Sequence, residues 1–279
     1  MRNNEERSGA RHAAETPQMA NPMDFVTPTE FVELPSQGKM YPQGHPLYNQ
    51  ETIEIKYMTA KDEDILTSRS LLKKGLAIDR LIDNLIVDKS IRASELLLGD
   101  RNAILITSRA SAYGHIYRTN VACPSCGERA KRNFNLLEPR VRHGGEWDEE
   151  YKIEQNTKGN YVIKLPFTEL LVEMKMLTGK EEVAMVRESQ KKTKMENEIE
   201  ATLTGQMRHF VVSVNGYDDK KIIDHVVKNL TARETRIIRK AYKQLTPDLS
   251  IVGDFECRSC SHEQELEVPF NADFFWPDR

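Results

Sequence analysis

The sequence predicts an α+β fold of two tandem, related helix-and-strand repeats, each ending in a Cys-x-x-Cys turn, the two turns meeting at one four-cysteine site. Three observations predict it. The only cysteines among the 279 residues form two pairs, Cys123-Pro124-Ser125-Cys126 and Cys257-Arg258-Ser259-Cys260. Residues with strand character lead into each pair and follow it. Finally, Ile53-Glu54-Ile55-Lys56-Tyr57-Met58-Thr59-Ala60-Lys61-Asp62-Glu63 recurs as Val172-Glu173-Met174-Lys175-Met176-Leu177-Thr178-Gly179-Lys180-Glu181-Glu182, with Glu, Lys, Thr, Lys and Glu at identical places.

A Cys-x-x-Cys turn aims two thiolates at one ion, and a tetrahedral zinc takes four. Strand, knuckle and strand is the half-unit of a zinc ribbon. Cys123, Cys126, Cys257 and Cys260 are therefore the expected ligands of one structural Zn2+ per chain. A closed shell of four thiolates leaves no position for substrate, so the site is a staple. Cys126 and Cys257 are 131 positions apart, whereas ordinary ribbons separate their pairs by roughly 15–20 residues. One knuckle per repeat accounts for the distance. Leu34-Pro35 echoes Leu165-Pro166, and Leu98-Gly99-Asp100-Arg101 echoes Leu230-Thr231-Ala232-Arg233. The offset grows from 119 at the strand to 134 at the knuckle, which assigns about 15 extra residues to the second copy, in its charged run from Lys180 to Glu200.

The implied organisation is a disordered tail over 1–22, a first repeat over 23–141, a linker over 142–160 and a second repeat over 161–279. The tail is polar and poor in aromatics. Residues 35–50, punctuated by Pro35, Gly38, Pro42, Gly44 and Pro46, read as a loop or extended arm. Ile53, Ile55 and Tyr57 alternate with Glu54 and Lys56 as in a half-buried strand. Thr59 and Asp62 then cap a helix running to about Leu72. Leu76–Val87 has helical spacing, Ser94 opens another helical stretch, and Arg101–Ser111 forms a helix that buries Ile104 and Leu105. His115–Val121 is a strand into the first knuckle.

The second repeat follows the same plan. Val162–Leu165 and Leu170–Met176 form a hairpin. Thr178 and Glu181 make a capping box ahead of a long charged helix. Phe210–Val214 is a strand or a buried helix, and Asn215-Gly216 is a turn. Ile222–Leu230 is helical. Thr231 and Glu234 cap a helix over Ala232–Leu245, which stops before Pro247. The aromatic end, Phe274-Phe275-Trp276, docks either on its own core or on another subunit.

Composition narrows the function. Net charge is −3 and the pI about 6.2, so no global basic field attracts nucleic acid. No apolar run approaches the roughly 20 residues of a membrane span, and the amino terminus has no signal-peptide core. Four clustered cysteines fit a reducing compartment. GxSxG, HExxH, the P-loop and GxGxxG do not occur. No catalytic or cofactor-binding residue is assigned, and the expectation is a non-enzyme without a small-molecule substrate.

Alternatives to a four-thiolate zinc remain at this level. His262, His115 or His143 could replace a cysteine. Arg118, Arg129, Lys131, Arg132, Arg140 and Arg142 surround the first knuckle, which suits a zinc-ribbon nucleic-acid-binding or transcription-related factor. Against that, Glu256, Glu263, Glu265 and Glu267 flank the second, and knuckles of opposite charge also suit two units that face each other. A redox-active dithiol is the third reading.

Leu34-Pro35-Ser36-Gln37-Gly38-Lys39-Met40-Tyr41, the stretch Ile53–Leu66, the two knuckles and Phe274-Phe275-Trp276-Pro277 together resemble the baseplate hub and hub-assembly proteins of T-even-like contractile-tailed bacteriophages. The resemblance spans roughly residues 30–279. It implies a structural or assembly role in the tail baseplate, with other hub and wedge proteins as partners; self-association is a separate expectation. It also implies a location in the virion and, during assembly, the host cytoplasm. It supplies no active-site residues.

Overall fold

The computed structural model describes residues 26–192, 202–268 and 272–275, and the chain is a mixed α/β protein. The tail read over 1–22 lies outside the described residues, as do 193–200 of the charged run and Trp276-Pro277.

Alternation of Ile53 and Ile55 with charged neighbours turns one face of β2 (Thr52–Lys56) inward. It pairs antiparallel with β1 (Thr29–Glu33), Val32 opposite Ile53. The segment between them is a succession of turns and no extended arm. Leu34, Tyr41 and Leu47 are buried, because packing these side chains on the adjacent core removes apolar surface from water. After β2, the Asp62 carboxylate accepts from the Thr59 N–H at 2.9 Å and its hydroxyl at 2.7 Å, starting α1 (Ala60–Thr67).

The helix expected to reach Leu72 instead breaks at the extended Ser68, and α2 (Arg69–Lys74) follows. The Thr67 hydroxyl bonds back to the Glu63 carbonyl, and a run of hydroxyl side chains competes in this way with helix propagation. Helix α3 (Ala77–Leu85) buries Ala77, Leu81, Ile82 and Leu85 along one stripe. The helix expected from Ser94 is reduced to one 3₁₀ turn, Ala93–Glu95. Helix α4 (Leu98–Tyr113) buries Ile104 and Leu105 as expected. The hairpin β3 (Ile116–Ala122) and β4 (Arg129–Asn135) and the short β5 (Arg140–Arg142) complete this half.

In the second half, β6 (Ile153–Gln155), β7 (Tyr161–Lys164), β8 (Leu171–Met174) and β9 (Val211–Val214) form an antiparallel sheet in that order. Strand β6 falls within the stretch read as a linker, and Trp147 and Tyr151 from that stretch pack on the second core. Helix α5 (Gly179–Lys192) begins at the expected box, where Glu181 accepts from the Thr178 N–H at 3.0 Å and hydroxyl at 2.6 Å. Helix α6 (Thr202–Phe210) leads into β9, so the apolar run 210–214 is a strand. Helices α7 (Lys220–Asn229) and α8 (Ala232–Leu245) follow, then β10 (Asp248–Ser250), β11 (Val252–Glu256) and β12 (Glu263–Glu267).

Two apolar cores result. The second gathers Ile163, Val172, Met174, Phe210, Ile238 and Leu245. The first contains Ile55, Leu81, Ile104 and Phe134, but also Leu249, Ile251, Val268, Phe274 and Phe275 from the end of the chain. Phe274 and Phe275 are fully buried there, Phe274 lying 4.9 Å from the Tyr117 ring. The aromatic end therefore docks on its own chain. Strand β10 pairs with β5, so the end of the chain is woven back onto its earlier half.

Candidate metal centre

The two cysteine turns have the same backbone. In the first, the Gly127 N–H donates to the Cys123 carbonyl at 2.8 Å, and the Cys123 N–H to the Glu128 carbonyl at 2.8 Å. In the second, the Ser261 N–H donates to the Cys257 carbonyl at 2.9 Å, and the Cys257 N–H to the His262 carbonyl at 2.9 Å. The residue closing each turn is left-handed, Gly127 at φ 76° and Ser261 at φ 52°. Glycine adopts that conformation freely, whereas serine does so at some cost. Antiparallel strands hold both turns: Ala122 faces Arg129 in β3–β4, and Glu256 faces Glu263 in β11–β12.

The hairpins lie against each other. Val121 and Ala130 from one, and Phe255 and Leu266 from the other, pack around Cys123 and Cys257. The Phe134 ring fills the space that a side chain at Gly253 would take. The Arg132 guanidinium sits 5.0 Å above the Phe255 ring and donates to the Glu256 carbonyl. Arg140 grips Glu265 with both terminal nitrogens, at 3.0 and 2.8 Å. One pair of the knuckles' opposite charges, Arg140 with Glu265, thus meets across the lobe. The sequence showed those charges but not these pairs, since each bridges more than 120 positions.

This packing brings all four predicted cysteines together. Cys123 Sγ is 3.7 Å from Cys260 Sγ, and Cys126 Sγ is 3.6 Å from Cys257 Sγ. All four sulfurs lie within 4.8 Å of one another. A tetrahedral shell at about 2.3 Å from a zinc ion would space its sulfurs about 3.8 Å apart, so the arrangement has the size of such a shell. These two approaches link one turn to the other. Cys123 and Cys257 are buried, and Cys126 and Cys260 face outward.

Electrostatics favour thiolate at Cys257 and oppose it at Cys126. The Cys257 thiol is lowered to about 6, first by the N–H of Ser259 and with help from that of Cys260. The Cys126 thiol is raised to about 12: the Glu128 N–H lowers it, but the neighbouring Cys260 sulfur, desolvation and the other two sulfurs outweigh that bond. Crowded sulfurs resist carrying several negative charges unless a cation shares them.

Among the described residues the group contains no histidine. His262 Nε2 lies 3.1 Å from Gln264 Oε1, and His143 Nδ1 lies 2.9 Å from the Pro35 carbonyl. Four soft ligands in a compact set can hold a metal ion and leave no coordination position open for chemistry.

A family model for the T4 bacteriophage base plate protein matches residues 27–276. No curated protein and no solved structure matches the chain. No helix among the described residues is long and apolar enough to cross a membrane. The match covers nearly the whole sequence and includes both hairpins with their cysteine turns, so the chain belongs to the T4 bacteriophage base plate protein family, whose place is structural, in the phage tail among other baseplate proteins.

Proposed function

We propose that the chain is a structural or assembly component of the hub region of the baseplate, acting through protein contacts and stapled by one zinc ion on Cys123, Cys126, Cys257 and Cys260. The observation that carries the metal reading is the convergence of two identical cysteine turns, 131 residues apart in sequence, to sulfur spacings of 3.6 and 3.7 Å. A redox dithiol needs only the two sulfurs of one turn and gives no reason for the second pair to converge on the first. Membership of a structural family suggests a non-enzymatic role.

The staple joins two copies of one ancestral unit. In both halves a hairpin strand is followed by a Thr-acid capping box, Thr59 with Asp62 and Thr178 with Glu181, at an offset of 119. Each half later has a helix with a buried acid at its third position, and then the cysteine hairpin.

Zinc content of the reduced, metal-replete protein tests the staple. One ion per chain, lost in both Cys123→Ser and Cys257→Ser, is expected. Two ions, each lost in only one variant, would refute the shared site. Sedimentation with separated hub and wedge sub-assemblies tests the location: cosedimentation with the hub is expected, and binding only to wedges would overturn the hub assignment.

A further inference from the structure

The inner faces of the two cysteine hairpins pack on each other through Val121, Ala130, Phe255 and Leu266. Side chains alternate along a strand, so the other faces point outward on opposite sides of the lobe. The outer face of β3–β4 presents Arg118, Arg129 and Lys131, all exposed, with Asn120 and Asn133 between them. The outer face of β11–β12 presents Asp254, Glu256, Glu263, Glu265 and Glu267, also exposed.

The acidic face works against its own ladder. Asp254 stands directly opposite Glu265, and Glu256 opposite Glu263. Like charges in that position destabilise a strand pair. Arg140 neutralises Glu265. Among the described residues the other four carboxylates have no ion pair, and neither do Arg118, Arg129 and Lys131. A cationic surface laid across β11–β12 would relieve the repulsion. The chain carries such a surface, built on the same two-stranded spacing, on the far side of the same lobe.

We propose that the cysteine lobe is a two-sided docking element, in which the acidic β11–β12 face of one copy seats the basic β3–β4 face of a second copy. The two faces differ, so the contact is head-to-tail, and each added copy offers a fresh face until a ring closes or a stack grows. Complementary charge sets partner choice and register. The inference rests on neither the metal nor the hub reading.

Sedimentation of the reduced, full-length protein tests it. At about 50 mM salt the weight-average mass should be at least about twofold that of the monomer, and at about 500 mM it should return to the monomer, because exposed charges are then screened. Arg129→Glu with Lys131→Glu, and separately Glu256→Lys with Glu263→Lys, should each give monomers at low salt with an unchanged far-UV spectrum. One variant then carries two acidic faces and the other two basic ones, so an equimolar mixture should restore the mass increase. A wild type that is monomeric at both salts, or variants that stay monomeric when mixed, would overturn the proposal. So would a monomeric wild type that binds DNA through Arg129 and Lys131, which would give the basic face to nucleic acid.

Discussion

Asp100 and Glu234 do the same work 134 positions apart, the offset that also separates Cys123 from Cys257. Each is the third residue of its helix, α4 or α8, and each is fully buried. Asp100 accepts the Ser36 N–H at 3.0 Å and hydroxyl at 2.6 Å, in the loop after Leu34-Pro35. Glu234 accepts the Thr168 N–H at 2.8 Å and hydroxyl at 2.9 Å, in the loop after Leu165-Pro166. Each acid ties the start of a long helix to the entry of its own half. Under the proposed duplication, aligning the helices on these acids sets Leu98 against Ala232, whereas the sequence match sets it against Leu230.

Removing either acid should be costly. Asp100→Ala leaves the Ser36 donors and the Tyr41 hydroxyl, 2.8 Å away, without their acceptor in the interior. Unsatisfied buried donors cost on the order of 2–4 kcal/mol for a set of this kind. Glu234→Ala should cost less, about 1–2 kcal/mol, because Phe167 and Thr168 are exposed and water can take up their donors. Urea midpoints measure both, and a loss below about 0.5 kcal/mol in either variant would contradict the tie.

The two acids respond oppositely to pH. Burial pushes the Asp100 carboxyl up, and the bonds from Ser36 and Tyr41 only partly hold it back. For Glu234, desolvation raises the carboxyl, but the bonds from Thr168, Phe167 and Thr231 outweigh it and the net shift is downward. A lowered folded pKa contributes stability that is present above the unfolded value, about 4.3 for Glu, and is lost as pH falls through the folded value. The stability gap between wild type and Glu234→Gln should therefore be constant above about pH 5 and shrink below about pH 4. Urea unfolding from above about pH 5 to below about pH 4 reads it, and a gap that widens on acidification would reverse the sign assigned here.

Arg101 joins the halves through charge. It is 2 % exposed, and its guanidinium meets Asp79 of α3 at 2.7 Å, Glu182 of α5 at 2.9 Å and the Ala93 carbonyl at 2.7 Å. Arg101→Ala leaves Asp79 without its cation and should cost about 3–5 kcal/mol, as broken buried pairs do. Arg101→Lys should recover only part of that, since a single ammonium cannot span three acceptors set for a planar fork. Thermal and urea unfolding of the two variants compares them, and full recovery by lysine would discount the fork geometry.

What the sequence revealed was local in origin. Thr59 with Asp62, Thr178 with Glu181, and Thr231 with Glu234 lie three positions apart, so their pairing follows from helix geometry alone. The cysteine turns are legible for the same reason, and the chemistry of four thiols supplies the link between them. The break at Ser68 was hidden because Leu71 and Leu72 continue the helical pattern past it. The pair of Arg101 with Glu182, the pairing of β5 with β10, and the passage of Leu249, Ile251 and Val268 into the first core leave no short-range trace. Each depends on where the chain returns after more than 80 residues, which an apolar or charged residue alone does not encode.

If the four cysteines hold the proposed zinc, its removal should loosen one lobe and spare the rest. The hairpins share a small apolar cluster around Cys123, Phe255 and Cys257, the contact of Phe134 with Gly253, the Arg132 contacts to Phe255 and Glu256, and the Arg140–Glu265 pair, which is exposed and worth little. Metal sites are among the few single features whose loss costs more than about 4 kcal/mol. For a chain of this size that corresponds to a fall of roughly 8–16 °C in the melting temperature. Tyr117, Phe134 and Val268 run from the lobe into the first core, so the damage should reach that core first. The second core, around Ile163 and Ile238, shares no residue with the cysteine cluster. Hydrogen exchange before and after chelation should therefore show faster exchange over β3–β4 and β11–β12, with amides of β7, β8 and α8 unchanged. Uniform acceleration across both cores would mean that the metal supports the whole fold, and unchanged exchange in the hairpins would mean that the thiol cluster needs no metal to hold its shape.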